Sequence, residues 1–347
     1  MNTFLLVVLV FSISIAAEEL SRKELLSLLN VNASRSVDES RNEEQLSPDS
    51  FTDMLMDAKF IKVPEDTPIL KIQRTNFLMA TKIRESFDAR REWPKCWSIG
   101  WIRQQSRCGS CWAVAAASMA SDRMCINAPY YPMMLSSEDL LSCCGSYCGN
   151  GCSGGWPDKA LNWWATNGLV TGTDYSDHQG CRPYTVPTCS WHNGVYSFPY
   201  DGTYRACPET FSVPQCYQQC QNGYFRNYTQ DKYYGQPAYH VRPDVSAIQA
   251  EILEHGPVVA TFTVYEDFNN FYKREPIYQH RSGGCKRPGG CGHVVKIIGW
   301  GVENQIPYWL CANSWGTQWG DGGFFRIRRG TNECGIEANV VAAMPRK

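Results

Sequence analysis

Seventeen cysteines constrain this 347-residue chain more than any other feature, because their oxidation state depends on where the chain folds. Residues 4–11 read Phe-Leu-Leu-Val-Val-Leu-Val-Phe, a run too short to cross a bilayer but long enough for a signal-peptide core. Small residues follow at Ser14 and Ala16, which predicts cleavage near Ala16 and a signal peptide over residues 1–16. The alternative is a buried hydrophobic strand. A secretory route, to the lysosome or the extracellular space, makes disulfides the expected fate of the cysteines.

The distribution of cysteines divides the remaining chain near residue 82. The stretch upstream contains no cysteine and is rich in charged residues, serine and leucine. Leucines recur at helical spacing between residues 20 and 29, and residues 51–60 form a second amphipathic stretch, so we predict a helical propeptide over 17–82. The cysteine-rich part, residues 83–347, is the expected mature domain.

The charge balance excludes several classes of partner. The formal net charge is -1, and no run of lysine or arginine interrupts the chain, which argues against a nucleic-acid or anionic-membrane partner. A hydrophobic content of 43% with 13% aromatic residues is typical of globular proteins. We expect no membrane span and no metal or other cofactor.

The order of secondary-structure signals predicts an α+β fold. The small, helix-favouring residues 113–120 suit a helix that is buried on all sides. Three short apolar or alternating runs near the other end, residues 294–298, 308–310 and 324–327, lie between Gly-rich turns and predict β-strands. The turn-rich segment 181–220 carries several cysteines, so we interpret it as a stapled loop. A helical half is therefore followed by a β-rich half.

Cys111 lies where a Gly-containing turn enters the predicted helix. A free thiol with a pKa of about 8.5 is poorly ionised at neutral pH, and a helix N-terminus or a neighbouring imidazolium favours the thiolate. Residues 105–112 read Gln-Ser-Arg-Cys-Gly-Ser-Cys-Trp, which contains a nucleophile signature of cysteine proteases. The alternative is that Cys108 and Cys111 form a redox or zinc pair, since a C-x-x-C spacing is common.

His293 and the later Asn313-Ser314-Trp315 motif argue for the protease. Their joint occurrence downstream of Cys111, in this order, is far more specific than a single histidine or asparagine. His293 is expected to take the thiol proton and return it to the leaving amine, while Asn313 orients the imidazole and Trp315 shields that bond from water. The Gln105 side-chain amide and the Cys111 backbone N–H are the expected oxyanion donors, each worth about 2.7–4 kcal/mol.

Five further segments match one known family: residues 86–90, 121–123, 180–184, 299–304 and 334–337. With them, residues 83–347 resemble the cathepsin B family of papain-type cysteine proteases. The resemblance implies a helical left subdomain, roughly 96–225, packed against a β-barrel-like right subdomain, roughly 226–347, with the active-site cleft between them. The alternative function is that of a catalytically inactive relative that acts as a binding protein. Such relatives usually lose the nucleophile, histidine or asparagine, and this chain keeps all three.

The resemblance also implies activity and partners. It predicts peptide-bond hydrolysis through a thiolate–imidazolium pair and an acyl-enzyme, as an endopeptidase with dipeptidyl-carboxypeptidase activity. Protein or peptide substrates, the chain's own propeptide as an inhibitor and cystatin-type inhibitors are the implied partners. A monomer is expected.

The family's disulfide map, transferred by position, leaves Cys111 free. It implies the pairs Cys96–Cys125, Cys108–Cys152, Cys143–Cys216, Cys144–Cys148, Cys181–Cys220 and Cys189–Cys207. Among the other cysteines, Cys285 and Cys291 flank a Pro-Gly-Gly turn just before His293, and we predict that they form an additional bridge. Cys311 and Cys334 are expected to be buried free thiols.

Several substrate-binding residues are implied by the resemblance. Gly154 and Gly155 correspond to the shelf on which the substrate backbone lies, with an ordinary turn as the alternative. Gly292 and Trp315 flank the catalytic residues. Asn339 falls where cathepsin B has a glutamate at the bottom of the pocket for the P2 residue, so we predict that arginine is disfavoured at P2 unless Glu337 supplies the charge.

The loop over 181–220 corresponds to the occluding loop of cathepsin B, which blocks the primed end of the cleft. Of that loop's adjacent histidines, His192 is kept while Trp191 replaces the one that clamps the loop, and the clamp aspartates are replaced by Gln104 and Gln318. We therefore expect endopeptidase activity beside exopeptidase activity through His192. The alternative is that burial of four aromatic side chains holds the loop shut without these charges: Tyr196, Phe198, Tyr200 and Tyr204. Two N-x-S/T sequons predict N-glycosylation at Asn32 and Asn227.

Overall fold

The computed structural model of the chain describes residues 52–62, 83–128, 133–188, 190–192, 195–197 and 211–346. Six α-helices lie within these ranges: α1 (Ala89–Glu92), α2 (Cys111–Asn127), α3 (Ser137–Cys143), α4 (Gly145–Cys148), α5 (Pro157–Asn167) and α6 (Val245–His255). Among the described residues, no helix combines the length and hydropathy needed to span a membrane. The fold agrees with the predicted α+β class, with most of the helices before the sheet.

One antiparallel sheet carries the second half of the described chain. The strands are β1 (Phe87–Asp88), β2 (Ser190–His192), β3 (Val195–Ser197), β4 (Tyr239–Val241), β5 (Val258–Thr263), β6 (Gly292–Glu303), β7 (Ile306–Ala312), β8 (Phe324–Arg328) and β9 (Val340–Ala342). In the sheet they are hydrogen-bonded in the order β4-β9-β5-β6-β7-β8, and β1 pairs with β6, while β2 and β3 form a separate hairpin. The predicted strands at 294–298, 308–310 and 324–327 are confirmed as parts of β6, β7 and β8.

The longest helix, α2, is buried nearly all round, as its alanine-rich sequence predicts. Small side chains let it approach β6 and α5 closely, and it lies in a core cluster with residues of both. A second core cluster, rich in aromatic rings, covers the sheet around Phe262, Phe268 and Trp309. Each cluster draws residues from both halves of the chain, so the division into two subdomains remains a prediction.

Two buried ion pairs fix α2 against its neighbours. Lys296 on β6 donates to Asp122 at 2.6 Å, and Arg123 lies 2.9 Å from Glu251 on α6. Removing one partner of such a pair leaves an uncompensated buried charge, which typically costs about 3–5 kcal/mol. Lys296 follows closely after His293 on β6, so the Lys296–Asp122 pair also sets the position of α2 relative to the strand that carries His293.

The disulfides between described residues have the pairings that the sequence analysis stated, including the additional bridge Cys285–Cys291. The pair Cys189–Cys207 lies outside the described residues. Cys111 and Cys311 are free and buried. Cys334 is also free, but it is only half-buried, because it lies in a short surface turn at Glu333–Gly335 rather than in a strand.

The helix expected over residues 51–60 does not form in the part that the structure describes. Residues 52–57 are mostly non-helical, and only a single 3-10 turn, Ala58–Ile61, follows them. The backbone of Met56 instead pairs with Gly292, and that of Asp57 donates to Ser153. These long-range hydrogen bonds replace the ones that a local helix would make, so the amphipathic pattern serves an extended segment. The predicted helix at 20–29 lies outside the described residues.

Candidate active site

Cys111 is the first residue of α2, and the turn before it is held by the rest of the fold. The Gly109 N–H donates to the Cys152 carbonyl at 2.8 Å, and the Cys108–Cys152 disulfide links the same two segments of the chain. A Cβ at residue 109 would lie 2.4 Å from the Cys152 oxygen, so only glycine fits. Because Cys108 is in this disulfide, it forms no redox or zinc pair with Cys111. The thiol therefore stands alone at the positive end of a helix.

His293 is held by Asn313. Its Nε2 lies 2.8 Å from the Asn313 Oδ1, which also accepts the Ser314 N–H at 2.8 Å. Since an amide oxygen only accepts, Nε2 carries the imidazole proton. The other ring nitrogen, Nδ1, is buried without a hydrogen-bond partner among the described residues. The Trp315 ring packs 4.8 Å from the imidazole, centroid to centroid. This geometry leaves Nδ1 free to accept a proton.

The electrostatics of Cys111 and His293 favour their neutral forms in this state. Burial raises the pKa of the Cys111 thiol to about 12, although backbone hydrogen bonds with Val294 and Trp112 and the charge of Arg287 oppose the shift. Burial lowers the pKa of His293 to about 4, against the effect of its bond to Asn313. Both side chains are fully inaccessible to solvent. A covered site of this kind keeps the pair as thiol and imidazole.

Gln105 is oriented so that its amide NH2 points to a peptide carbonyl. Its Oε1 accepts the Ser314 hydroxyl at 2.6 Å, and its backbone N–H donates to the Ser314 carbonyl at 2.8 Å. Its Nε2 donates to the carbonyls of Met54, at 2.8 Å, and Cys108, at 2.7 Å. The amide therefore already holds a backbone oxygen, which is what an oxyanion donor must do. Sequence reasoning missed Ser314 as the residue that fixes Gln105, although it lies inside the quoted motif.

The segment formed by residues 52–62 covers these groups, and we call it the cleft segment. Met56 and Gly292 exchange backbone hydrogen bonds of 2.8 and 2.9 Å, and the Asp57 N–H donates to the Ser153 carbonyl at 3.0 Å. On the other side, the Ala58 N–H donates to the Gly289 carbonyl at 2.9 Å, in the loop closed by Cys285–Cys291. The segment thus pairs with the backbone of both cleft walls, as a bound peptide does.

The predicted glycine shelf contacts the cleft segment directly. A Cβ on Gly154 would lie 2.6 Å from the Phe60 ring, and one on Gly155 would lie 2.7 Å from Trp112. Gly154 also has a φ of 125°, which favours glycine. Phe60 packs edge-on against Trp156 at 4.6 Å between centroids. These glycines let a peptide approach closely, which an ordinary surface turn does not require.

Asn339 lies at the far end of the cleft segment. It is buried, and its Nδ2 donates to the Ile61 carbonyl at 2.9 Å. Glu337, the alternative source of charge, is engaged elsewhere, because its carboxylate accepts from Trp309 and from the backbone N–H groups of Gly330 and Asn332. A neutral amide therefore faces this end of the cleft.

The remaining predicted residues are described only in part. His192 is the last residue of β2, where it pairs with Val195, and its side chain lies outside the described residues. Asn227 is exposed, directly before a turn at residues 228–231. Asn32 lies outside the described residues. Gln104 uses its Oε1 to accept the Ser106 N–H at 3.0 Å, and Gln318 is exposed.

Comparisons with known proteins show which family this chain resembles. The family model of the papain family cysteine proteases matches residues 83–344. The cathepsin B-like cysteine proteinase 5 of Caenorhabditis elegans is 47% identical over 304 residues, covering 86% of this chain and 83% of the relative. The gut-specific cysteine proteinase of the same organism is 43% identical over 328 residues, covering 94% and 92%.

Solved structures show the same likeness. The proCathepsin B S9 from Trypanosoma congolense aligns with a TM-score of 0.67 and 32% identity, over 85% of this chain and 88% of that one. The digestive procathepsin L 3 of Tenebrio molitor larval midgut aligns with a TM-score of 0.54 at 18% identity, over 85% and 77%, which shows the fold alone. Both structures are proforms, which is the state in which a segment upstream of the catalytic domain is present.

Proposed function

This chain belongs to the papain family of cysteine proteases and is cathepsin B-like, and we propose that Cys111 and His293 carry out its peptide hydrolysis. The observation that carries the proposal is the oriented imidazole: Asn313 binds Nε2, and Nδ1 is left without a partner among the described residues. A base must have a free nitrogen in a fixed direction, and this one does.

The reaction proceeds in two stages. The Cys111 thiol gives its proton to His293 Nδ1, and the thiolate attacks the scissile carbonyl carbon. The carbonyl oxygen becomes an oxyanion that accepts hydrogen bonds from Gln105 Nε2 and the Cys111 N–H. The imidazolium protonates the leaving amine as the C–N bond breaks, and water then hydrolyses the acyl-enzyme. The contact between Gln105 and the Met54 carbonyl supports the first of these donor roles.

We further propose that the cleft segment is the inhibitory part of a propeptide over residues 17–82. It shields the nucleophile and occupies Gln105, Gly292 and the glycine shelf. When the segment leaves, water returns to the site, so the burial that keeps the thiol and imidazole neutral is lost. Each charged form can then stabilise the other as a thiolate–imidazolium pair. The mature domain is proposed to begin at residue 83.

A thiol-directed peptidyl epoxide tests the assignment. Processed protein should be labelled once per chain, unprocessed protein much more slowly, and Cys111→Ala not at all. Cys311→Ala is the matched control, because Cys311 is also a buried free thiol and its loss should leave labelling unchanged. Failure of verified processed protein to react would refute the enzymatic role and favour the inactive binding protein.

The P2 pocket is proposed to prefer apolar or aromatic residues. Asn339 supplies no charge, and Glu337 is held by three donors, so a buried arginine side chain would lack a counter-charge. Comparison of Phe-Arg and Arg-Arg fluorogenic substrates tests this preference. Equal or better turnover of Arg-Arg would refute it.

We propose endopeptidase activity beside dipeptidyl-carboxypeptidase activity that depends on His192. The uncharged Gln104 and Gln318 stand where the family's clamp carboxylates would be, so the loop over 181–220 lacks these ion pairs. Because Trp191 replaces the titrating clamp histidine, the balance should change little between pH 5 and 7. Assays of a C-terminally blocked substrate against one with a free carboxylate test it. A purely exopeptidase profile at low pH would refute it.

The compartment follows from the disulfides. Pairings such as Cys96–Cys125 belong to an oxidising environment, so the chain enters the secretory pathway. Delivery to the lysosome or to the extracellular space is a proposal. Inhibition by cystatin-type proteins, a monomeric state, and glycosylation at Asn32 and Asn227 remain predictions.

A further inference from the structure

A buried histidine lies beneath Asn339, on the neighbouring strand. β4 pairs with β9 so that His240 stands opposite Val341. Asn339 precedes Val341 by two residues, and side chains two apart on a strand share a face of the sheet. The side chains of His240 and Asn339 therefore lie on the same face, and they are only 4% and 5% exposed.

The Asn339 amide has a definite direction. Its Nδ2 donates to the Ile61 carbonyl of the cleft segment at 2.9 Å, so the NH2 group faces the cleft. Its Oδ1 then faces inward, where it is buried without a hydrogen-bond partner among the described residues. The His240 Nε2 is buried in the same condition. The Asn339 Oδ1 can accept a hydrogen bond and the His240 Nε2 can donate one, so each is the group that could satisfy the other.

Hydrogen-bonding chemistry fixes which of the two groups can donate. An amide oxygen can only accept, so an imidazole that pairs with the Asn339 Oδ1 must present its N–H. Burial lowers the pKa of His240, while the nearby Asp158 carboxylate and the Asn339 side chain oppose that shift. Asp158 lies at the start of α5, so a third element places a charge near the imidazole.

We propose that His240 is a positioning residue for substrate selection: it holds the Asn339 amide with its NH2 toward the P2 residue, so the pocket ends in a fixed hydrogen-bond donor. This proposal rests on the proposed peptidase function. Apolar P2 residues still fit best, but among long polar side chains the pocket selects those that end in an acceptor oxygen, such as glutamine. Arginine brings only donors, so it meets the NH2 with no group to accept its hydrogen bonds.

Replacement of His240 by leucine frees the amide to rotate. The Oδ1 can then turn to the pocket and accept from a guanidinium, because no buried donor holds it inward. An unmatched buried hydrogen-bonding group costs enough to change selectivity by about tenfold. We therefore expect the ratio of kcat/KM for Gln-Arg over Arg-Arg substrates to fall by about tenfold in H240L. H240Q should retain the ratio, since its side-chain amide can still donate to Asn339.

The test uses processed wild type, H240L, H240Q and N339L with Gln-Arg, Arg-Arg and Phe-Arg fluorogenic substrates. H255L is the matched control, because His255 lies at the end of α6, half-exposed and outside the cleft contacts described above. N339L removes the donor itself and should lower turnover of Gln-Arg relative to Phe-Arg even if H240L folds poorly. Epoxide labelling normalises each rate to active enzyme.

The outcomes separate the two proposals. A normal Phe-Arg rate with an unchanged Gln-Arg to Arg-Arg ratio in H240L would overturn the role of His240 and leave the peptidase assignment intact. Loss of the ratio in H240Q as well as H240L would also overturn it, because a purely structural role explains that result. Absence of labelling and of Phe-Arg turnover in wild type would instead refute the proposed function.

Discussion

Phe60 is the side chain on which we expect the cleft segment to depend most. Its ring is 1% exposed, packs against Trp156 and lies over Gly154. Truncation of a buried phenylalanine to alanine typically costs about 3–5 kcal/mol. The segment can relax around the cavity, so we take the lower value for Phe60→Ala. A loss of about 3 kcal/mol corresponds to a covered state that opens about 150-fold more often.

The rate of epoxide labelling of Cys111 in the unprocessed chain measures this opening, because the thiol is fully inaccessible when the segment is in place. Labelling should be followed at neutral pH, with chain integrity checked at each time point so that processing does not contribute. We expect F60A to react roughly 100-fold faster than wild type. Lys62→Ala is the control, since Lys62 is exposed at the end of the same segment. Equal labelling of F60A and wild type would refute the view that this ring anchors the segment.

Three further predictions concern the site and its surroundings. Asn313→Ala should lower kcat of the processed enzyme on the order of 100-fold with little change in KM, because His293 loses the acceptor that orients it; an unchanged kcat would contradict that role. In the unprocessed Cys111→Ala chain, where no thiol can pass its proton to the imidazole, burial lowers the pKa of His293 to about 4, below its ordinary value of about 6.5. The covered state then binds fewer protons than the open one and loses stability as pH falls through this range, by up to about 3 kcal/mol. Amide hydrogen exchange of the cleft segment, corrected for its intrinsic pH dependence, should therefore accelerate from pH 6.5 to pH 4, and slower corrected exchange at the lower pH would refute the sign. Replacement of both Cys285 and Cys291 by serine should lower the free energy of unfolding by about 2 kcal/mol, which is the loop-closure entropy of so short a loop. Denaturant titration measures this change, and an unchanged midpoint would show that the bridge constrains neither the folded nor the unfolded state.

The chemistry of the site was readable from the chain because it depends on local patterns. Cys111 follows a glycine-containing turn and begins a helix, while His293 lies on β6 and Asn313 directly follows the adjacent strand β7. The bridge between Cys285 and Cys291 was predictable for the same reason, since six residues of sequence separation hold the two sulfurs near each other.

The cleft segment was read incorrectly as a helix because its partners are remote in sequence. An amphipathic pattern reports which side chains are buried and not which hydrogen bonds the backbone makes. The N–H groups of Met56 and Asp57 bond to Gly292 and Ser153, and these contacts exist only after both cleft walls have formed. The same limit applied to Ser314, whose hydroxyl fixes an amide more than two hundred residues earlier in the chain.

By itself, the sequence determined the fold class, because this follows from the order of helix and strand signals along the chain. Residue type and order also supplied the proposed nucleophile Cys111 and its proposed base His293, and the family resemblance supplied Asn339 as the neutral residue of the proposed P2 pocket. Tertiary structure decided the burial of the proposed catalytic pair, which favours its neutral form, and the direction of the Asn339 amide. Burial and long-range hydrogen bonds govern those properties, and both depend on which distant segments the folded chain brings together.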